Sequence, residues 1–467
     1  MQLQWWSVLP FATMLACIAV LPLVPVTAHW WERRSSQLAI ALALGLPVAV
    51  WMWLVLGWEP VFAAVVEYGQ FISLLLALFI VSGGIFLKGD IEATPRNNTI
   101  FLAIGAVLAS FVGTTGAAML LIRPLLNTNS ERRYRVHTVL FAIFVVANCG
   151  GLLTPLGDPP LFLGFLRGVP FTWTFHLFAE WLFVNAMLLA AYFSLDTYYH
   201  AQEPASSVRL DRTEIEPLGL RGSINFVWFA VIIAAVALAP SIDAEAIELG
   251  EATAMDWVPL REIIMLAAAG ASYALGDRRT RFQDNQFEWG PIAEVATLFI
   301  GIFLTMIPAL HYLDEIADAL PLNQVTFFIF TGGLSSVLDN APTYATFFEL
   351  AGQVTHPGGA VVATVPETYL VSISLGAVLC GAITYIGNGP NFMVKSVADS
   401  RGVEMPSFGG YVVRSFTYLV PVLAVMVCLF IAEPLWAKAV GGLGVVLLLA
   451  NNVRLIRAGR RLALVDD

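Results

Sequence analysis

Residues 151–160 read Gly-Leu-Leu-Thr-Pro-Leu-Gly-Asp-Pro-Pro, and residues 381–390 read Gly-Ala-Ile-Thr-Tyr-Ile-Gly-Asn-Gly-Pro. Both segments follow the pattern Gly-x-x-Thr-x-x-Gly-x-x-Pro at an offset of 230 residues, and each stands at the end of an apolar span. Glycine relaxes the backbone and proline removes an amide donor, so a helix is expected to unwind in both segments. Unwound backbone is tolerated at membrane depth only inside protein or beside a wet cavity. Either segment alone could be a structural kink in a helix. The presence of both segments instead predicts a binding site.

The composition is that of a helical membrane protein. Of the 467 residues 58% are hydrophobic and 12% are charged, with a mean hydropathy of +0.76. Apolar runs of the roughly 20 residues that cross a bilayer as helix recur along the chain, whereas a barrel would show short alternating segments. The net charge of −10 arises partly from acidic loops, so no nucleic-acid surface is indicated. We therefore predict an all-α polytopic membrane protein.

Eleven crossings are predicted, and the first is expected to be a retained helix rather than a signal peptide because it lacks a basic start. Two further apolar stretches are broken by Gly113-Thr-Thr-Gly116 and by Asp339-Asn-Ala-Pro342, which predicts re-entrant hairpins over 99–124 and 323–350. The predicted crossings are 7–28, 37–57, 68–87, 136–153, 177–195, 223–240, 260–275, 291–310, 367–385, 411–432 and 437–453.

The basic residues orient this topology. Cytoplasmic loops carry an excess of Lys and Arg, and loops 58–67, 241–258, 311–323 and 351–366 contain neither residue. This pattern predicts an external N-terminus and a cytoplasmic C-terminus.

Five crossings in each half would make the halves inverted repeats, as in many secondary transporters. The predicted divisions are a first repeat over 1–200 with a broken helix over 136–168, a cytoplasmic linker over 201–222, a second repeat over 223–436 with a broken helix over 367–398, and an added helix with a basic tail over 437–467.

Two carboxylates are predicted at membrane depth, Asp158 in the first interruption and Asp339 at the tip of the second hairpin. A charge near the bilayer centre costs about 2.5–3.5 kcal/mol, so such acids generally serve function. Oxygen ligands suit an alkali cation, and burial raises the proton affinity of carboxylates in general, so sodium and protons would compete for the two acids. We expect no cofactor besides these transported ions. The neutral members of the predicted site are Thr114, Thr115, Asn148, Thr154, Gly157, Asn340, Thr384, Gly387, Asn388 and Asn391.

Other ionisable residues lie nearer the membrane boundaries. Glu294 is the first of them to test, although an interfacial position explains it as well. Arg123, Arg167 and Lys395 flank the site and could neutralise an anionic substrate, but their edge positions equally fit positive charge at the cytoplasmic face. The four cysteines lie in apolar stretches without metal-ligand spacing, which indicates buried hydrophobic side chains rather than disulfides.

Three segments together resemble the ion transporter superfamily: residues 148–160, Ser335-Ser-Val-Leu-Asp-Asn-Ala-Pro342 and Thr384-Tyr-Ile-Gly-Asn-Gly-Pro-Asn391. The similarity spans most of the chain, and it is closest to the branch of CitMHS-like citrate transporters and NhaD-type sodium/proton antiporters. The resemblance implies a homodimer in the bacterial inner membrane, with an elevator-like movement of a domain built from both hairpins and both broken helices. It also implies that Asp158 and Asp339 handle ions or protons. Neither hairpin tip carries the Ser-Asn-Thr triplet of the dicarboxylate symporters.

Two transport functions follow as hypotheses, with a membrane enzyme or a receptor as a third class. The first hypothesis is exchange of sodium or lithium for protons at Asp158 and Asp339. The second is cation-coupled uptake of citrate or a related carboxylate, against which the two acids argue unless a metal accompanies the anion. No Ser/His/Asp order, HExxH or Walker loop supports an enzyme.

Overall fold

The computed structural model describes residues 4–22, 24–31, 33–213, 219–248, 252–316, 322–354 and 359–463. Across these ranges the chain is almost entirely helical, with two short antiparallel ladders formed by β1 (Phe86–Lys88) with β2 (Gly219–Arg221) and by β3 (Val361–Val362) with β4 (Val365–Pro366). Six helical stretches are long and apolar enough to cross a membrane. The predicted class, an all-α polytopic membrane protein, is confirmed.

Helices occupy all five crossings predicted for the first half. They enclose a predicted hairpin that breaks at Gly113, where φ is +82°. A broken helix, a further long helix and a short helix in the segment predicted as a linker follow. The helices are α1 (Leu9–Val20), α2 (Pro25–Trp31), α3 (Arg34–Leu56), α4 (Glu59–Ser82), α5 (Pro95–Val112), α6 (Thr114–Thr128), α7 (Val136–Phe141), α8 (Pro159–Leu166), α9 (Phe178–His200) and α10 (Ala205–Thr213).

The second half repeats this order of elements, with a short additional helix between its first two apolar helices. Its hairpin breaks between α15 and α16, at Asp339, and the final helix follows the repeat. The helices are α11 (Asn225–Leu238), α12 (Ala244–Glu248), α13 (Leu260–Leu275), α14 (Gly290–Ile316), α15 (Gln324–Ser335), α16 (Asn340–Gln353), α17 (Glu367–Cys380), α18 (Gly389–Ser400), α19 (Phe408–Tyr418), α20 (Val420–Met426) and α21 (Leu435–Ala463).

Both broken helices unwind in the same way. In the first, α7 passes through a π turn and a 3-10 turn, Cys149–Leu152, before extended backbone leads to α8. In the second, α17 passes through a 3-10 turn, Gly381–Ile383, before extended backbone leads to α18. The helix that resumes carries proline in its first turn in both cases, where a missing amide proton costs nothing.

The packing separates two groups of helices. Helices α3, α4, α11, α13 and α14 contact one another, and the halves of each hairpin pack together beside the broken helices. Helix α8 packs against α16 of the other half and also contacts α4. The interruptions are therefore enclosed by protein rather than exposed to the surroundings.

Candidate ion-binding site

Four segments meet at the carboxylate of Asp158, which is 1% exposed. Thr114 at the tip of the first hairpin donates its hydroxyl to Asp158 Oδ1 at 2.9 Å. Asn340 at the tip of the second hairpin donates to Oδ2 at 2.6 Å. Asn388 in the second interruption donates to Oδ1 at 3.2 Å. Both hairpins and both broken helices are thus joined through one side chain.

A close backbone approach shapes each interruption. A Cβ atom on Gly157 would lie 2.0 Å from the carbonyl oxygen of Gly151, and one on Gly387 would lie 2.6 Å from that of Gly381. Backbone atoms cannot retreat as a flexible side chain can, so these positions require glycine. The backbone of residues 151–157 thus folds back on itself. In this fold-back the Gly157 carbonyl accepts the Thr114 amide proton at 2.8 Å, which fixes the first hairpin tip.

Thr154 and Thr384 hold the interruptions to the hairpins in matching ways. The Thr154 hydroxyl donates to the backbone carbonyl of Ser110, and the Thr384 hydroxyl donates to that of Ser336 at 2.5 Å. Ser110 and Ser336 each precede a hairpin tip. The two threonine hydroxyls are therefore committed to the hairpins, and Ser110 and Ser336 are contacts that the sequence analysis missed.

A chain of amides links the two halves behind Asp158. Asn388 donates to Asn148 Oδ1 at 3.1 Å, and Asn148 donates to Asn391 Oδ1 at 2.6 Å. Asn391 donates in turn to the carbonyls of Gly381 and Thr384 at 2.8 and 2.9 Å. All three asparagines are buried. The amide orientations follow from these partners, because each nitrogen faces an acceptor.

Asp339 lies beside this cluster without joining it directly. Its carboxylate caps α16 by accepting the Ala341 amide proton at 3.2 Å, and its residue is only half-buried. It directly precedes Asn340, the residue of the second hairpin that donates to Asp158. Thr115, the other predicted neutral member at the first tip, is half-buried one residue beyond Thr114.

The Asp158 carboxylate has only neutral partners. Within the described ranges no Lys, Arg or His side chain pairs with it, and its donors are one hydroxyl and two amides. Asn340 Oδ1 beside it is buried with no hydrogen-bond donor. An unpartnered buried acceptor costs about 1–3 kcal/mol, which a bound cation or a proton shared with the carboxylate would recover. The site thus holds a buried carboxyl group that has no basic partner among the described residues.

The predicted flanking cations are differently placed. Arg167 pairs with Glu67 of α4 at 3.0 Å and with Glu349 of α16 at 3.1 Å, so its charge is already offset. Lys395 pairs with Asp399 at 2.6 Å, near the end of α18. Arg123 is buried on α6. The Arg167 triad was missed because Glu67 stands at the boundary of a predicted crossing, where a carboxylate looks interfacial.

Two more ionisable groups lie away from the site. Glu294 is exposed on α14 and accepts a hydrogen bond from Gln37 at 3.2 Å. Asp196, which is fully buried near the end of α9, binds Arg132 at 2.7 Å and His137 at 2.8 Å. This second buried network also escaped the sequence analysis, because Asp196 follows directly on a predicted crossing.

Comparison with known families gives one clear result. A family model described as "Putative citrate transport" matches residues 1–431. A search of curated proteins gives no match. The matched region contains both hairpins, both interruptions and every residue that contacts Asp158. The predicted resemblance to the citrate transporter-like branch of the ion transporter superfamily is confirmed, and the chain, a multi-pass membrane protein, belongs to this transport family.

Proposed function

We propose that this chain is a secondary transporter that exchanges sodium or lithium for protons through Asp158 and Asp339. The observation that carries the proposal is the Asp158 carboxylate, buried among neutral donors with no basic side chain of the described residues beside it. A buried carboxylate without a positive partner costs several kcal/mol. A proton or a metal cation removes that cost, and each excludes the other.

The neighbouring side chains have roles that fit this exchange. Thr114, Asn340 and Asn388 donate to Asp158 and so stabilise its ionised form, which is the form that binds a metal. The free Oδ1 of Asn340 supplies an oxygen ligand to a cation next to the carboxylate. When Asp158 is protonated, the same oxygen can instead accept a hydrogen bond from the carboxyl group. Asp339 caps the same hairpin helix and supplies a second acid. Hard oxygen donors of this kind replace the water shell of a small alkali ion.

Cation-coupled citrate or carboxylate symport is the second candidate, and the family description favours it. In that case the amides of Asn148, Asn388 and Asn391 would hold the anion's carboxylates, and a bound metal would offset the charge of Asp158. Exchange is favoured over symport because Arg167 and Lys395 are already paired with carboxylates and do not supply a positive charge for an anionic substrate.

The movement belongs to the same proposal. Both hairpins and both broken helices are tied together at Asp158, which suits an elevator-like displacement of these segments as one domain. We place the protein in the bacterial inner membrane as a homodimer with an external N-terminus and a cytoplasmic C-terminus. The inverted repeats then present the same site to both faces in turn.

Reconstitution with a trapped pH-sensitive dye tests the function. Vesicles under an imposed proton gradient receive sodium, lithium, potassium, citrate or succinate in separate trials. Collapse of the gradient by sodium or lithium alone is the expected result. Accumulation of labelled citrate driven by sodium would establish symport in its place.

The assignment of the acids is tested with matched amides. Asp158→Asn and Asp339→Asn should each reduce exchange by about 100-fold, because an amide does not ionise and so can neither carry the exchanged proton nor balance the charge of a cation. Asp399→Asn is the control, since that carboxylate is paired with Lys395 away from the site. Normal exchange by both site variants would refute this site for any substrate.

A further inference from the structure

The cytoplasmic end of α21 carries a groove that transport does not use. Its volume is about 480 Å³, and it is lined by Ala450, Val453, Arg454, Arg457, Ala458 and Arg461. These residues recur at intervals of three and four, so they share one face of the helix. Three guanidinium groups therefore lie over small apolar side chains on a single surface.

This arginine face points away from the rest of the protein. Gly459, on the other side of α21, packs directly against α9, where a Cβ atom would lie 3.0 Å from the Thr197 carbonyl oxygen. Arg454, Arg457 and Arg461 are exposed, and no carboxylate of the described residues pairs with them. Within the described part of the chain, their positive charge is thus presented outward.

Helix length places the groove at the membrane surface. The 29 residues of α21 extend about 43 Å at 1.5 Å per residue, whereas the hydrocarbon core is about 30 Å thick. Trp436 is 70% exposed at the opposite end, where aromatic residues anchor helices in the interface. When the hydrocarbon core is taken to begin at Trp436, its other boundary falls near residue 455. The three arginines then lie at the depth of the lipid phosphates.

We propose that this groove binds the headgroup of an anionic phospholipid. Arginine binds phosphate oxygens through paired N–H donors, and three arginine side chains line this one groove. Leu443, Val446 and Val453 continue the same face towards the membrane centre and are exposed, which gives the acyl chains an apolar track. Basic clusters directly beyond a membrane helix recognise anionic lipids in this way.

Charge argues against a second copy of the chain on this face. Two copies joined through this face would bring six arginines together, counting the three groove-lining arginines of each copy. Repulsion between these like charges would destabilise such a contact. The apolar track argues in turn for a lipid rather than a free anion, because inorganic phosphate would leave it uncovered.

Native mass spectrometry of the purified full chain tests the proposal. The probes are phosphatidylglycerol and phosphatidylcholine with identical acyl chains, titrated onto delipidated protein. Wild-type protein should retain phosphatidylglycerol in preference to phosphatidylcholine. Arg457→Gln should lower phosphatidylglycerol binding about fivefold, because it removes one guanidinium that lines the groove and binds the phosphate. The triple variant Arg454→Gln, Arg457→Gln, Arg461→Gln should reduce it to the phosphatidylcholine level.

Arg460→Gln is the matched control, because it removes the same charge from the same helix but does not line the groove. Its lipid binding should stay within about twofold of wild type. An equal loss in Arg460→Gln and Arg457→Gln, or equal binding of the two lipids by wild type, would overturn the proposal. So would conversion of a dimer to monomers in the triple variant with lipid binding unchanged, which would assign the face to a second copy.

Discussion

Asp158 accepts hydrogen bonds on both carboxylate oxygens from side chains that three other segments supply. A donor that points at a carboxylate favours its ionised form, so each of these bonds helps to set the pH at which a cation can replace a proton. The balance between proton and metal is thus adjustable by single side chains that carry no charge.

Thr114→Val removes one donor and keeps the shape of the side chain. A hydrogen bond to a charged group is worth about 1.5–3 kcal/mol, so the variant should move half-maximal sodium-driven exchange to higher pH by about one unit or more. Exchange measured from pH 5 to pH 9 checks this. Thr128→Val, a buried threonine at the other end of α6, serves as the control. An unchanged pH profile in Thr114→Val would mean that the hydroxyl does not act on the carboxylate.

Among the elements, the breaks were the most predictable features. Gly113 and Asp339 mark helix ends where the sequence predicted hairpin tips, because local backbone chemistry decides such ends. Thr154 was predicted as a neutral member of the site, and in the structure its hydroxyl donates to the Ser110 carbonyl. The direction of a side chain depends on how its segment packs against segments that are distant in sequence. A local sequence pattern therefore does not predict it.

Arg167 shows the same limit for charges. Its sequence position suggested a free cation beside the site, whereas Glu67 and Glu349 come from two other helices to pair with it. Asp158 and Asn388 occupy equivalent places in the repeated motif, so their chemistry could be predicted together from the sequence. Their direct contact at 3.2 Å required the packing of the two halves.

The fold-back of the first interruption gives a stability prediction. Gly157→Ala would place a methyl group against the Gly151 carbonyl, so the interruption would have to open. We expect the variant to unfold several degrees below wild type in detergent, because forced overpacking costs about 1–3 kcal/mol. Gly333→Ala, whose Cβ would meet nothing within 4 Å, should unfold at the wild-type temperature or slightly above. Equal unfolding temperatures for wild type and Gly157→Ala would contradict the close approach.

The predicted linker, residues 201–222, gives a pH prediction. Asp211 on α10 accepts the Ala93 amide proton at 3.0 Å, just before the first hairpin. Burial, together with the charges of Asp90, Glu131 and Glu92, raises the pKa of Asp211 to about 6. The hydrogen bond from Ala93 alone favours the ionised carboxylate, but burial and the acidic neighbours outweigh it. Because the folded-state pKa lies above the unfolded value, the protonated side chain favours the folded linker, and this contribution is lost as pH rises from about 4 through 6.

Hydrogen exchange measures this effect. After correction for intrinsic rates, the Ala93 amide and residues 205–213 should be better protected at pH 5 than at pH 7.5. Asp211→Asn imitates the protonated side chain and should abolish the difference. Greater protection at pH 7.5 in wild type would reverse the sign and reject the explanation.

For the whole molecule, the Arg167 triad joins helices that an elevator movement would separate. Glu67 belongs to α4, whereas Arg167 follows α8 and Glu349 lies on α16. Arg167→Gln would leave the carboxylates without their cation and loosen this contact, so the described arrangement should be less populated than in wild type. The expected readout is faster thiol labelling of Cys149 and Cys380, which are buried at the interruptions.

The labelling is best done after Cys17→Ser and Cys428→Ser, because those two cysteines are partly exposed. We expect the labelling rate to rise several-fold in Arg167→Gln. The substitution leaves Glu67 and Glu349 without their cation, which destabilises the arrangement in which the cysteines are buried. Arg221→Gln breaks the ion pair with Asp284 elsewhere in the chain and is the control. Identical labelling rates in the two variants would show that the triad does not restrain movement.

The meeting of four distant segments at Asp158 also bears on how the protein is made. Asn388 leaves the ribosome about 230 residues after Asp158. At about 5–20 residues per second, roughly 10–50 seconds pass before the acid has all three donors, because Asn340 and Asn388 are both made after it. During synthesis it must therefore be kept neutral by a proton or shielded by the insertion machinery. The first half alone should be a poor product of truncated genes, quickly recognised and degraded.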